Sequence, residues 1–169
     1  VSVINGFGKS VGLVQIDELG TLESPIIMTN TLSVGTALTA SVKYMLEKNP
    51  DIGVETGTVN CVVTECNDGS LNDIRGLHVK EEHVFEALAN ASDIFEEGVV
   101  GSGTGMTCLG VKGGIGSSSR IVKMDGFDYT VGAIVMSNFG QDDNLRIGDN
   151  FLGPQIDAYI KSQEPKKDK

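Results

Sequence analysis

Tryptophan is absent from this chain of 169 residues, and histidine occurs twice, cysteine three times and proline four times. Both histidines, His78 and His83, stand near a helix start among charged neighbours and read as surface residues. No G-x-S-x-G elbow, H-E-x-x-H pair or matched Cys and His motif accompanies them, so the usual serine, zinc and cysteine hydrolase signals are missing. Cys61, Cys66 and Cys108 are odd in number and fit no zinc spacing, which argues against a disulfide framework and leaves no metal or cofactor implied. They read as reduced and buried. Basic residues are the minority, 13 Lys and Arg against 23 Asp and Glu for a net charge of −10. Nucleic-acid affinity comes largely from Lys and Arg displacing counterions, so a nucleic-acid partner is not expected. Long apolar runs are also lacking, Val131 to Met136 being representative. A membrane helix needs about 20 predominantly apolar residues, so no membrane partner is expected either.

What is present is enough to fold. Hydrophobic residues make up 40% and charged residues 21%, the balance of a chain that buries a core. Glycine is abundant, 22 residues, which points to tight turns and close backbone approaches. The chain opens at Val1 with VSVINGFGK, already resembling the strand-to-loop sequence of a core, and closes with the charged stretch SQEPKKDK. These ends read as those of a fragment or of one subunit of a processed precursor. Residues 1–160 parse as a single α+β domain and residues 161–169 as a charged tail of linker type.

The pattern along the chain places strands at Val11–Asp17, Ile26–Thr29 and Thr58–Cys66. A helix is expected from Thr36 to Lys48, with Leu38, Val42, Met45 and Leu46 at helical spacing and Asn49-Pro50 as its stop. A second runs from Lys80 to Ala91, with Val84, Leu88 and Ala91 on one stripe and Glu81 and Glu82 in the first turn. Beyond it, Met106–Val111, Ser117–Met124 and Asp128–Ser137 read as strands, the last two joined at Asp125-Gly126. A layered α+β arrangement satisfies this order.

Two short constellations stand out. Glu65-Cys66-Asn67-Asp68-Gly69 puts a carboxylate at a strand end, where it can pair with a ligand ammonium group, although Asn67, Asp68 and Gly69 alone need nothing beyond a turn. Asn138, in Ser137-Asn138-Phe139-Gly140 after a strand, can aim its amide at a developing oxyanion or simply cap the strand. The dense glycines of GVVGSGTGMTCLGVKGGIG, residues 98–116, match neither a Walker loop nor a dinucleotide fingerprint in spacing and read as bends or close packing.

Several long strings, NGFGKSVGLVQIDELGTLESPIIMTNTLSVGTA, ECNDGSLNDIRGLHV, EEGVVGSGTGMTCLGVKGGIGSSSR and YTVGAIVMSNFG, resemble in order the L-aminopeptidase/D-amino-acid esterase family, which includes the beta-peptidyl aminopeptidases. The resemblance spans most of residues 1–153. It implies a four-layer αββα sandwich and a precursor that cuts itself before a Ser or Thr, giving an alpha chain and a beta chain whose new N-terminal residue is the nucleophile. This sequence resembles the alpha chain; neither Ser2 nor Ser10 has the cleavage context. On the same resemblance Asn138 contributes to the oxyanion hole, Glu65 holds the substrate amino group, and Asn67 and Asp68 line that pocket. Implied partners are the beta chain, a small peptide, amide or ester substrate, and further copies in a homo-oligomer. Left open beside this aminopeptidase reading are a related amide hydrolase or acyltransferase and a non-catalytic assembly module. The compartment is likewise open, with the cytoplasm slightly favoured.

Overall fold

The structure, a computed structural model, describes residues 2–4 and 6–163; Val1, Asn5 and residues 164–169, most of the expected linker tail, lie outside the described residues. The secondary structure is α+β. The chain divides into two compact units, Val1–Glu96 and Glu97–Lys169.

In the first unit the order is α1 (Leu13–Leu19), β1 (Ile26–Asn30), α2 (Val34–Lys48), β2 (Val62–Cys66) and α3 (Glu81–Ala89). β1 and β2 pair in parallel, with Ile26 opposite Val62 and Asn30 opposite Cys66, and α2 is the crossover that parallel strands require. The β-branched pair Val62 and Val63 opens β2 fully buried. Helices α2 and α3 pack on each other, and Val34, Ala37, Ala40, Val63 and Val84 form the core between them and the strands. On α2 the innermost positions are thus small, which lets the helix backbone approach the sheet. Leu46, expected on the buried stripe, is exposed, because the helix turns its alanines and Ser41 inward instead. In α3 the stripe is Val84 and Leu88, while Ala91 lies past the helix end and is exposed.

The expected strand Val11–Asp17 is a helix instead. Val11 alone makes a bridge, exchanging backbone hydrogen bonds with Val63 at 2.9 and 3.2 Å. Gly12, at φ 82°, then turns the chain away while lying so close to β2 that a Cβ there would meet the Cys61 carbonyl oxygen at 2.2 Å. Apolar alternation across Val11–Asp17 could not reveal a left-handed residue in second place. The strand expected from Thr58 begins only at Val62.

The second unit is built from hairpins. β3 (Thr107–Cys108) and β4 (Val111–Lys112) pair around Leu109 and Gly110, both at positive φ, which corrects the single strand expected over Met106–Val111. β5 (Ile115–Met124) and β6 (Phe127–Met136) form a ten-pair antiparallel ribbon around Asp125 and Gly126, at φ 53° and 82°. Both central residues in the left-handed region mark the primed turn that matches strand twist. β7 (Arg146–Ile147), β8 (Asn150–Phe151) and α4 (Gly153–Gln163) complete it, so residues 161–163 of the expected tail close a helix. Large side chains on the ribbon, among them Ile121, Phe127, Tyr129 and Val131, are exposed in this chain.

If α2 is seated through its alanines, Ala37→Leu lowers stability by about 1–3 kcal/mol through overpacking, whereas Leu46→Ala costs less than about 0.5 kcal/mol. Urea unfolding of the two variants measures this, and the reverse ranking contradicts the packing.

Candidate active site

The carboxyl ends of parallel strands gather loops around an open crevice, and Glu65 and Asp68 lie at that end of the β1–β2 pair. Glu65 is paired with Thr29 across the strands and is half-buried. One carboxylate oxygen accepts the backbone N–H of Lys9 at 2.8 Å, and the other accepts the Thr31 hydroxyl. Held by two donors from different segments, the carboxylate has a fixed orientation and retains acceptor capacity, since an ionised carboxyl offers about four lone-pair sites. The loop bearing Lys9 is itself tied down, its ammonium donating to the Phe7 carbonyl at 3.2 Å and lying 3.9 Å from the Phe7 ring centre.

Asp68 is buried, and its carboxylate accepts from the Asn30 amide at 3.1 and 3.2 Å and from the Asn72 amide at 2.7 Å. Its backbone carbonyl accepts from Leu71 and Asn72, so Asp68 locks the loop after β2 to the last residue of β1. Asn67 is exposed, and its side-chain oxygen accepts the Gly69 N–H at 2.9 Å, the expected turn chemistry. Lys9, Asn30 and Thr31 were not singled out by sequence reasoning. The usable signal was the polar pair Asn30-Thr31 at the carboxyl end of β1, whose last residue Asn30 lies opposite Cys66, the last of β2.

Asn138 lies in the second unit, two residues beyond β6, and is half-buried. Its side-chain N–H donates to the Thr107 carbonyl at 3.1 Å, which sets the plane of the amide. The flanking residues are held as well. Ser137 donates its backbone N–H and its hydroxyl to the Gly114 carbonyl at 3.0 and 3.1 Å, and the Phe139 carbonyl accepts from Leu109 at 2.8 Å. Close packing accounts for the glycines here: a Cβ on Gly113 would lie 2.4 Å from the Ser137 carbonyl oxygen, and one on Gly114 equally near that of Gly98. Cys108, Leu109, Lys112, Gly113, Gly114 and Ser137 contribute to the wall of a cleft of about 500 Å³.

The remaining candidates have other duties. His83 accepts the Lys80 N–H at 3.0 Å and caps α3, while His78 lies 3.4 Å from the Asp73 carboxylate; both are exposed as expected. Among the described residues the three cysteines form no disulfide, and only Cys61 is fully buried, Cys66 and Cys108 being half-buried rather than buried as expected. Burial pushes the Cys61 thiol up, as does the charge of Glu23, against a hydrogen bond with Ser24 that acts the other way. A thiol held neutral is a poor nucleophile. Among the described residues no group of three His, Cys, Asp or Glu side chains is placed to hold a metal ion, and no helix is long and apolar enough to cross a membrane.

An α+β chain with an anchored carboxylate, an oriented carboxamide and both histidines engaged elsewhere offers fixed hydrogen-bonding groups, with no Ser-His-Asp or Cys-His set among its described residues. Comparison with known proteins makes this specific. The chain belongs to peptidase family S58, whose family model matches residues 1–167. It is 42% identical over 153 residues to the beta-peptidyl aminopeptidase of Sphingosinicella microcystinivorans, covering 90% of this chain and 38% of that protein. A crystal structure from Pyrococcus horikoshii OT3 superposes with a TM-score of 0.91 at 57% identity, over 94% of this chain and 45% of the other. The L-aminopeptidase D-Ala-esterase/amidase of Ochrobactrum anthropi superposes with a TM-score of 0.84 at 38% identity, over 92% of this chain and 44% of the other. That enzyme is described as a prototype for the serine aminopeptidases and a new variant among the Ntn hydrolase fold. The chain thus spans less than half the length of these relatives, and the resemblance read from its sequence is borne out.

Asp68→Ala leaves the Asn30 and Asn72 amides without their acceptor and is expected to cost about 1–3 kcal/mol. Thermal unfolding checks this, and an unchanged midpoint removes Asp68 from its locking role.

Proposed function

We propose that this chain is the alpha-subunit part of a self-processing aminopeptidase of the N-terminal-nucleophile type, which removes N-terminal residues from small peptides, amides or esters. The observation that carries the reading is the 42% identity, over 90% of this chain, to a beta-peptidyl aminopeptidase. In this reading the nucleophile is a Ser or Thr that begins a separate beta chain. Its own α-amine serves as the base for its hydroxyl, so neither histidine is required. Attack on the scissile carbonyl puts negative charge on the carbonyl oxygen, and Asn138 donates a hydrogen bond to it. Such a donor acts where charge develops and lowers the barrier by about 2.7–4 kcal/mol. Glu65, fixed by Lys9 and Thr31, accepts the ammonium group of the substrate and so selects free N-termini. Asn67 and Asp68 shape the rim of the same pocket.

The wider architecture in this reading is a four-layer αββα sandwich, with the chain as one domain and its tail leading towards the processing site. Supporting it is the β5–β6 ribbon, whose apolar side chains point to both faces and are exposed in this chain. The run Val131–Met136 has the near-continuous apolar character of a strand covered on both sides. In the assembled protein the beta chain covers that ribbon, and alpha-beta units associate into a homo-oligomer.

In the full-length protein, assayed on p-nitroanilides of L-alanine, D-alanine and beta-alanine, Asn138→Ala is expected to lower kcat about 10²–10³-fold with the fold intact. Unchanged turnover removes Asn138 from the mechanism. Glu65→Gln is expected to raise KM for free amines selectively; an equal loss on N-acylated substrates contradicts amine recognition. Failure of the parent protein to hydrolyse any of the three anilides, or any N-terminal peptide bond, overturns the aminopeptidase reading.

A further inference from the structure

Lys112, at the end of β4, is used by nothing in the mechanism above. Its ammonium group donates to three backbone carbonyls, those of Gly113 at 2.6 Å, Gly103 at 3.0 Å and Met106 at 3.0 Å. An ammonium has three N–H donors and no acceptor, so these three carbonyls take up its hydrogen-bonding capacity. Although the residue is exposed, its ammonium group is held by backbone carbonyls.

Two of the three carbonyls adjoin the contacts that orient Asn138. Met106 precedes Thr107, whose carbonyl accepts the Asn138 amide, and Gly113 precedes Gly114, whose carbonyl accepts both donors of Ser137. Met106 and Gly113 are also joined directly, the Gly113 N–H donating to the Met106 carbonyl at 2.8 Å. Met106 is completely buried, so this end of the loop is an anchor. Where Gly113 and Gly114 run against Ser137 and Gly98, no side chain fits between the backbones to fix their spacing. Three carbonyl dipoles aimed at one point also repel one another, and a cation at that point reverses the sign of the interaction.

We propose that Lys112 is the positioning residue of Asn138: by drawing the carbonyls of Gly103, Met106 and Gly113 to one ammonium group, it sets where Thr107 and Gly114 hold the Ser137–Asn138 segment. The proposal rests on Asn138 as oxyanion donor. Lys112 itself touches no reacting atom. A misplacement of about 1 Å in a catalytic group costs about a hundredfold in rate, which is the scale on which such a device is felt.

The test is a double-mutant cycle in the full-length protein with Lys112→Met and Asn138→Ala, read as kcat and KM on the best of the three anilides. Lys112→Met is expected to lower kcat by about ten- to a hundredfold with KM changed less than about twofold. Added to Asn138→Ala, it is expected to cost less than about twofold more, because its effect passes through that amide. A full loss retained in the Asn138→Ala background, or no loss in the parent, overturns the proposal. Should Lys112→Met not fold, Lys112→Arg, which keeps the charge, takes its place in the cycle with a smaller loss expected and the same non-additivity required. A crystal structure of the folded variant decides the matter independently of any hydrolysis: the 3.1 Å bond from Asn138 to Thr107 is expected to be lost, and its retention overturns the positioning role. If instead Asn138→Ala alone leaves kcat unchanged, the oxyanion reading fails, and the structure still tests what Lys112 holds in place.

Discussion

The parallel register of Ile26–Asn30 against Val62–Cys66 is the constraint on which the first unit depends. With Thr29 opposite Glu65, Thr31, two positions along the chain, is brought within reach of the Glu65 carboxylate, and Asn30 within reach of Asp68. A slip of one residue would send Glu65 to the other face of the pair and part both contacts. The register is in turn held by burial. Val63 sits beneath α2, whose alanines let the helix come close, while its neighbour Val62 is buried as well, and apolar burial of this kind is the dominant favourable term in folding. Thus the core of the unit and the placement of its carboxylate have one cause.

In the second unit the corresponding constraint is backbone against backbone. Primed turns at Leu109-Gly110 and Asp125-Gly126 fold the chain back on itself, and glycines at 113 and 114 let adjacent segments touch. Removing side chains from an interface permits close approach but leaves spacing to hydrogen bonds alone. The bonds that Asn138, Ser137 and Lys112 make to loop carbonyls supply that spacing. The density of glycine therefore records packing, and the polar groups among them determine where the carboxamide points.

Much of this was legible beforehand. Apolar periodicity located α2 and α3, β-branched residues located β1 and the later part of β2, and Asp125-Gly126 located the ribbon turn. What stayed hidden depended on left-handed backbone: Gly12 ended a strand after one residue, and Leu109, a residue type that rarely adopts positive φ, split an apparent strand into a hairpin. The burial of Ala37 and Ala40 in place of Leu46 was hidden too, since periodicity marks a face by its large residues and not by the distance to its neighbour. Glu65, Asp68 and Asn138 were visible as strand-end polar residues. Their partners Lys9, Thr31, Asn30 and Thr107 were not, because each is brought there by pairing between distant segments.

In the proposed mechanism a second chain carries the nucleophile, and the most direct measurement is denaturing mass spectrometry with N-terminal sequencing of the purified full-length protein. Two polypeptides are expected, one containing this sequence and a second beginning with Ser or Thr. A single uncut polypeptide that nevertheless hydrolyses aminoacyl amides would contradict that mechanism.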